Sequence, residues 1–299
     1  MARFHIEPTS KCTLQCPLCD RTWFEQKFKK RLLHEIDVDT IVNFVGKHNT
    51  LQLCGNRGDP IYHSRFLELC TRFKENNNVV NIATNGSAKT KSWWEKLVNI
   101  LDEKDSIIFA IDGLEDTNHL YRKNAKWKSI MTAVETTTRH SFKTIWKFIV
   151  FKHNQHQIEQ ARQKSLELGF DDFEIVHSHR WDDRLDLMPD EKYTQDKIRQ
   201  KKVDPSDTVG KMTPACLLPK DNIEMYIDSE GDFYPCCYMG TYRYKYKSMF
   251  KPNNKTYNIS ENTLENIIQN IEVKKFFEST KQFTSAHECC KIHCGNLNV

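Results

Sequence analysis

Three cysteines near the start of the chain, in Cys12-Thr-Leu-Gln-Cys16-Pro-Leu-Cys19, have the type and spacing of a metal-binding loop. Thiolates are soft ligands suited to iron–sulfur clusters or zinc. Three of them can hold three irons of a four-iron cube and leave the fourth iron open to another ligand. Structural zinc wants a closed set of four ligands, and no cysteine or histidine lies just beyond the triad to close this one. Six more cysteines fall at 216, 236, 237, 289, 290 and 294, and only Cys54 and Cys70 stand apart. Eleven cysteines grouped in this way point to metal before disulfide in a reducing compartment. Cys54 and Cys70 read as small buried apolar residues.

The elements that must position these groups are legible as alternating apolar runs and amphipathic stretches over the first 180 residues. Strands are expected at Phe4–Glu7, Thr50–Leu53, Val79–Ala83, Ile107–Ile111, Thr144–Phe151 and Phe173–His177, rich in Val, Ile and Phe as buried parallel strands are. Helical spacing marks the stretches from Asp39, from Phe66 and from Ile158 to Leu168, the last stopped by Gly169. Six β/α units in series give an α/β fold, a partial (β/α)6 TIM-like barrel, with ligands at the C-terminal ends of its strands. The polar residues gather there: the triad after strand one, Gly58-Asp59-Pro60 after strand two, Thr84-Asn85-Gly86 after strand three, Asp112-Gly113 after strand four, His153-Asn154 after strand five and His177-Ser-His179-Arg180 after strand six. The domains are expected to run 1–180 for the barrel, 181–213 for a polar connector and 214–299 for a small α+β cysteine-rich module. In that module Ile223–Ile227 and Phe233-Tyr234 read as a hairpin with a Gly231 turn, and Leu264–Phe277 as one helix.

These segments resemble the radical S-adenosylmethionine (SAM) superfamily over nearly the whole chain. Glu7 through Thr22 looks like that family's cluster loop, with Cys12, Cys16 and Cys19 as ligands of a [4Fe–4S] cluster. Leu53-Cys-Gly-Asn-Arg-Gly58-Asp59-Pro60 is similar to the family's Gly-Gly-Glu-Pro segment, which lies against the SAM amino group. Thr84-Asn85-Gly86 is similar to the segment that contacts the SAM ribose. Ala110-Ile-Asp112-Gly113 with Arg122 resembles Ser-Ile-Asp-Gly…Arg, where the arginine meets the SAM carboxylate, and the segment ending at Asn154 resembles the one near adenine. Leu18 replaces a common aromatic residue, and Ala110 replaces a serine, which removes one expected hydroxyl contact to SAM. Cys216-x14-Gly231-x4-Cys236 and Cys290-x3-Cys294 resemble the auxiliary-cluster module called SPASM, or its shorter form, twitch. The resemblance implies one auxiliary [4Fe–4S] cluster on Cys216, Cys236, Cys290 and Cys294, with Cys237 and Cys289 as adjacent alternatives.

The activity so implied is reductive cleavage of SAM to a 5′-deoxyadenosyl radical that abstracts hydrogen from a peptide or small-molecule substrate, for peptide modification or dehydrogenation. Asp112, His177 and Arg180 are candidate catalytic residues, with His179 beside them, and an electron donor such as flavodoxin or ferredoxin is implied. With the cluster loop starting at residue 12, a peptide substrate is expected to bind the barrel or the C-terminal module directly. A net charge of +4, from 44 basic and 40 acidic residues, is too even to suggest nucleic acid or an anionic membrane as partner. The first residues hold no apolar signal region and no stretch approaches the roughly 20 apolar residues of a membrane span, so a cytoplasmic protein is expected. The rival reading is a non-catalytic binding protein stapled by zinc. Anaerobically purified protein should be brown, absorb near ~400 nm and release iron and sulfide; a colourless zinc protein would end the cluster reading.

Overall fold

The computed structural model describes residues 2–178, 181, 184–193, 224–241, 250, 255–280 and 285–294. Six strands, β1 (Arg3–Ile6), β2 (Thr50–Leu53), β3 (Val79–Thr84), β4 (Ser106–Ala110), β5 (Lys143–Ile149) and β6 (Asp172–Val176), pair in parallel in sequence order. Each agrees with its expected position to within two residues. Helices α1 (Asp20–Phe28), α2 (Val38–Val45), α3 (Phe66–Glu75), α4 (Lys91–Val98), α5 (Asn118–Tyr121), α6 (Trp127–Thr137) and α7 (Ile158–Leu168) join them. The architecture is an α/β sheet with outer helices, as the barrel reading requires.

The strands alternate rather than burying both faces equally. Phe4, Leu51, Ile82, Phe109 and Trp146 are buried on one face. Rings from the helices meet that face, as Phe44 of α2 meets Phe4 at 6.1 Å and Trp94 of α4 meets Phe109 at 6.0 Å. The opposite face carries His5, Gln52, Asn81, Lys147 and Glu174, all half-buried. A one-sided apolar pattern leaves the inner face free to be polar.

Strand β7 (Glu224–Ile227) pairs in parallel with β1, and β8 (Phe233–Tyr234) pairs antiparallel with β7. The expected hairpin is present, and it also extends the barrel sheet to the order β6-β5-β4-β3-β2-β1-β7-β8. The helix expected over Leu264–Phe277 is two: α8 (Leu264–Gln269) and α9 (Ile271–Ser279). Asn270 leaves helical geometry at ψ 132° and its side chain accepts from Glu272 N, so it caps the second helix instead of continuing the first. A last helix, α10 (Glu288–Cys294), carries the terminal cysteines.

On the inner face His5 Nε2 lies 2.6 Å from Cys54 Sγ. Burial pushes the His5 pKa down to about 4. The folded chain therefore prefers neutral His5, and its contribution to stability is present above pH ~6.5 and fades as acid protonates the unfolded chain first. In urea titrations of the apo protein, wild type should lose up to about 2 kcal/mol more stability than His5→Gln between pH 7 and pH 5.

Candidate active site

The triad leaves β1 through Glu7-Pro-Thr-Ser-Lys, which is held by Ser10 N donating to His34 O at 2.9 Å. Cys16 and Cys19 share a turn, with Cys19 N donating to Cys16 O at 3.1 Å, and α1 starts directly after Cys19. Leu14, Cys16, Tyr121, Phe151 and Leu187 form a second hydrophobic cluster, with Cys12, Leu18, Cys19 and Trp181 packed on it. The cysteine loop thus sits against a dry wall, separate from the main core.

The three cysteines lie on one loop, and Cys19 acts electrostatically on both Cys12 and Cys16. Among the described residues, Asp228, Glu230 and Asp232 are the one set of three or more His, Cys, Asp or Glu whose ligand atoms all lie within 4.8 Å of one another. Three thiolates on one tetrahedral zinc would sit about 3.8 Å apart, given Zn–S bonds of about 2.3 Å. Cys12, Cys16 and Cys19 do not form such a set, and three thiols on one loop suit three irons of a cube. Burial pushes the Cys12 thiol up to about 12 and the Cys16 thiol up to about 11. Bound cationic iron would reverse that preference.

Beside the triad, a loop turns around a carboxylate that sequence reasoning did not assign a role. Glu7 is fully buried; its Oε1 accepts from Arg57 N at 2.7 Å and from Gly58 N at 2.6 Å, and its Oε2 accepts from the Tyr226 hydroxyl at 2.7 Å. Burial pushes the Glu7 pKa up against the opposing pull of Arg57. Gly58 is required by contact, since a Cβ there would lie 1.7 Å from Thr9 O. The signal was an acid directly after a strand, opposite a Gly-x-x-Gly turn.

Asp59 joins the second and third loops. Its Oδ2 accepts from Asn85 N at 2.7 Å and from Thr84 Oγ1 at 3.0 Å, and its Oδ1 accepts from Ile61 N at 3.3 Å as Pro60 opens a short turn. Burial raises the Asp59 pKa to about 6. Asn85 Nδ2 also reaches Cys12 Sγ at 3.7 Å. The structure therefore brings Gly58, Asp59, Pro60, Thr84 and Asn85 together next to Cys12.

A second group forms at the ends of β4 and β5. Arg122 Nε donates to Asp112 Oδ2 at 2.6 Å, and Asp112 Oδ1 accepts from Ile149 N at 2.8 Å. Burial works against the Arg122 charge, but Asp112 and Cys16 outweigh it and its pKa rises. Asn154 is fully buried; its Nδ2 donates to Asp112 O and Ile149 O, and its Oδ1 accepts from Phe151 N. It acts as a tie between loops. His177 follows β6 at the far edge of the sheet from β8. His179, Arg180 and Cys216 lie outside the described residues, as does the side chain of Cys294.

One of the C-terminal cysteines, Cys237, reaches the same region through its carbonyl. Cys289 and Cys290 are buried, while Cys236 and Cys237 are half-buried. Asn56, in the Glu7 loop, accepts from Cys19 Sγ at 3.7 Å through its carbonyl and donates through Nδ2 to Cys237 O at 2.9 Å. Arg57 is buried beside them, donating to Gly240 O at 3.2 Å and pairing with Asp228 at 3.7 Å.

Comparison with known proteins bears on the family and the fold. The model of the radical SAM superfamily matches residues 6–164, and that of the SPASM iron–sulfur cluster-binding domain matches residues 216–295. The chain is similar to the tungsten-containing aldehyde ferredoxin oxidoreductase cofactor-modifying protein of Pyrococcus furiosus, 24% identical over 186 residues, which is 57% of this chain and 50% of that protein. The match thus spans half of that relative's length. Among solved structures, anSMEcpe with bound AdoMet and Cp18Cys peptide is 16% identical with a TM-score of 0.58, over 97% of this chain and 85% of that one. SuiB of Streptococcus suis bound to precursor peptide SuiA is 15% identical with a TM-score of 0.61, over 96% of this chain and 70% of that one. At these identities the likeness is one of fold.

Replacing Gly58 tests the loop. Gly58→Ala should lower thermal stability and cluster content together, read by calorimetry and iron analysis; wild-type values for both would show that the close approach to Thr9 is dispensable.

Proposed function

Since the chain belongs to the radical SAM superfamily, we propose that it is a peptide- or protein-modifying radical enzyme whose reaction begins at Cys12, Cys16 and Cys19. The observation that carries this reading is the convergence on one dry face of the thiol triad, the Asp59–Asn85 group and the Asp112–Arg122 pair. The chain's cofactors are a [4Fe–4S] cluster, SAM and an auxiliary iron–sulfur cluster. When bound, they supply one electron to a sulfonium and a 5′-deoxyadenosyl radical that takes a hydrogen atom from substrate.

The chain's own residues supply position and dryness. Gly58, Asp59 and Pro60 present a buried carboxylate and a turn to the SAM amino group, while Thr84 and Asn85 are fixed by Asp59 to meet the ribose. Arg122, oriented by Asp112, offers its guanidinium to the SAM carboxylate, and Asn154 holds the two strand ends beside adenine. Leu14, Tyr121 and Phe151 exclude water from the reacting face. Cys216, Cys236, Cys290 and Cys294 hold the auxiliary cluster, with Cys237 and Cys289 as the adjacent pair.

A peptide substrate is supported by two considerations. The inner sheet face is lined by polar residues such as Gln52, Asn81, Lys147 and Glu174, with the small Ala83 and Ala110 above them. Two proteins of similar fold, anSMEcpe and SuiB, were solved with peptides bound. His177, His179 and Arg180 are the candidates for substrate contact and proton transfer. A small one-electron protein, flavodoxin or ferredoxin in type, completes the system.

Reconstituted Cys16→Ala should cleave no SAM with dithionite yet keep the iron of the C-terminal module; retained cleavage would refute the assignment of the triad. Arg122→Gln should weaken SAM binding about tenfold or more in equilibrium dialysis, the loss expected for one charge-assisted contact.

A further inference from the structure

Helices α6 and α7 follow the paired strands β4 and β5. Both start beside the loops at the C-terminal strand ends: Lys126 N, just before α6, donates to Ser87 Oγ at 2.6 Å, and Gln157 Oε1, just before α7, accepts from Leu114 N at 3.2 Å. On its other side α6 packs against α4. Between α6 and α7 a groove of about 470 Å³ is left open to solvent. The helical repeat makes it straight. Trp127, Met131 and Glu135 line it from α6 at intervals of four residues, and Gln160, Lys164 and Leu168 line it from α7 at the same interval. Eight residues of rise along a helix cover about 12 Å, room for about four residues of extended chain.

The floor of the groove is apolar and its rim is acidic. Leu114, Trp127, Met131 and Leu168 are half-buried and packed from below on the main core. Glu115, Glu135 and Glu167 stand exposed at the rim with one base, Lys164. Lys164 is paired with Glu167 at 3.3 Å, and Glu115 and Glu135 make no ion pair among the described residues. This local acidity opposes the net charge of +4 on the chain. The upper end is rigid, because Leu114 N also donates to Thr117 Oγ1 at 3.1 Å and Gln157 Nε2 donates to Asp116 Oδ1 at 3.0 Å. Leu114 stands two residues after Asp112, the acid that orients Arg122.

An apolar trough bordered by charge of one sign has the composition of a docking surface for the opposite sign. A small molecule binds by burying most of its surface, which an open trough does not provide. Two copies of the chain meeting groove to groove would set acid against acid. A short peptide segment with a bulky apolar residue between lysines or arginines meets both features, its apolar side chain on Trp127 and Met131 and its cations at Glu115 and Glu135. We propose that the α6–α7 groove anchors such a basic, apolar segment of the peptide substrate, away from the residue that reacts. The inference rests on the functional reading above and adds where, and by what chemistry, the substrate is held. A chain leaving the groove past Leu114 arrives at the strand ends beside Asp112. The anchor takes no part in the reaction; it raises the effective concentration of the reacting segment at the barrel mouth.

The test uses the holoenzyme and two fluorescently labelled hexapeptides, Lys-Arg-Leu-Phe-Arg-Lys and its acidic counterpart Glu-Asp-Leu-Phe-Asp-Glu, read by anisotropy. Wild type should bind the basic peptide saturably, more weakly as salt is added, and should not bind the acidic one. A variant carrying Glu115→Lys and Glu135→Lys should bind the basic peptide about tenfold or more weakly. Met131→Ser should weaken it with the charge unchanged. Both variants should keep wild-type iron content and wild-type cleavage of SAM with dithionite, since neither touches the residues assigned to the cluster or to SAM. Wild-type affinity in both variants would overturn the proposal. So would equal binding of the acidic peptide, or dimerisation across this face in place of peptide binding. Wild-type protein that takes up no iron or cleaves no SAM would instead remove the functional reading, and with it the role of the bound segment as substrate, an outcome told apart by iron and cleavage assays that contain no peptide.

Discussion

One buried carboxylate organises the active end of this molecule. Glu7 lies directly after β1 and receives Arg57 N and Gly58 N from the loop after β2 and the Tyr226 hydroxyl from β7. Taking an anion out of water is costly unless donors surround it. Three donors and the nearby Arg57 charge offset part of that cost here, and burial still outweighs them, holding the Glu7 pKa above its ordinary value. The three segments can satisfy Glu7 only by meeting at one point, so a single carboxyl group sets the relative position of the loop that starts the triad, the loop that carries Asp59, and the hairpin that leads to Cys236. Gly58 is the steric counterpart of this constraint, because the loop reaches Glu7 only by passing Thr9 at a distance that admits no side chain.

The same loop then connects the two groups of cysteines. Asn56 takes the Cys19 thiol on its carbonyl and gives its amide to Cys237 O, and Arg57 gives to Gly240 O. The Asn56 bonds tie the loop of Cys19 to the backbone of Cys237 directly, through one residue. The sheet adds rigidity to the join, as β7 is hydrogen-bonded to β1 in the same parallel register as β1 to β2.

The legible and illegible parts of the sequence divide along a physical line. Strands such as Thr50–Leu53 and the helix Ile158–Leu168 are visible because short-range periodicity reports burial, and Gly169 marks its helix end by adopting φ 83°. The triad is visible because metal ligands on one loop must be close in sequence. Glu7, Arg57 and Tyr226 are not visible, because their meaning lies in contacts across 50 to 219 residues of chain. Pairing of β7 with β1 is hidden for the same reason, since a four-residue run reads equally well as half of an isolated hairpin. The break at Asn270 is missed because the apolar spacing continues through it, and only the cap geometry shows that a second helix begins. Helix α1 escapes because its aromatic residues face outward, the reverse of the pattern that announces a packed helix.

The Asp112–Arg122 pair shows why polar groups are kept in so dry a place. A buried ion pair contributes little net stability, yet removing one partner leaves an uncompensated charge. Asp112 is itself held by Ile149 N, and its carbonyl is held by Asn154. Arg122 is thus anchored through Nε to an acid that cannot move, at the end of the short helix α5 and facing Cys16. A long cationic side chain on a loop ordinarily samples many rotamers; here the ordering entropy has been spent during folding, before any ligand arrives. The hydrophobic wall of Leu14, Tyr121 and Phe151 then strengthens the field of that fixed charge by keeping water away. Position and dryness act together: the guanidinium would be mobile without Asp112, and screened without the wall.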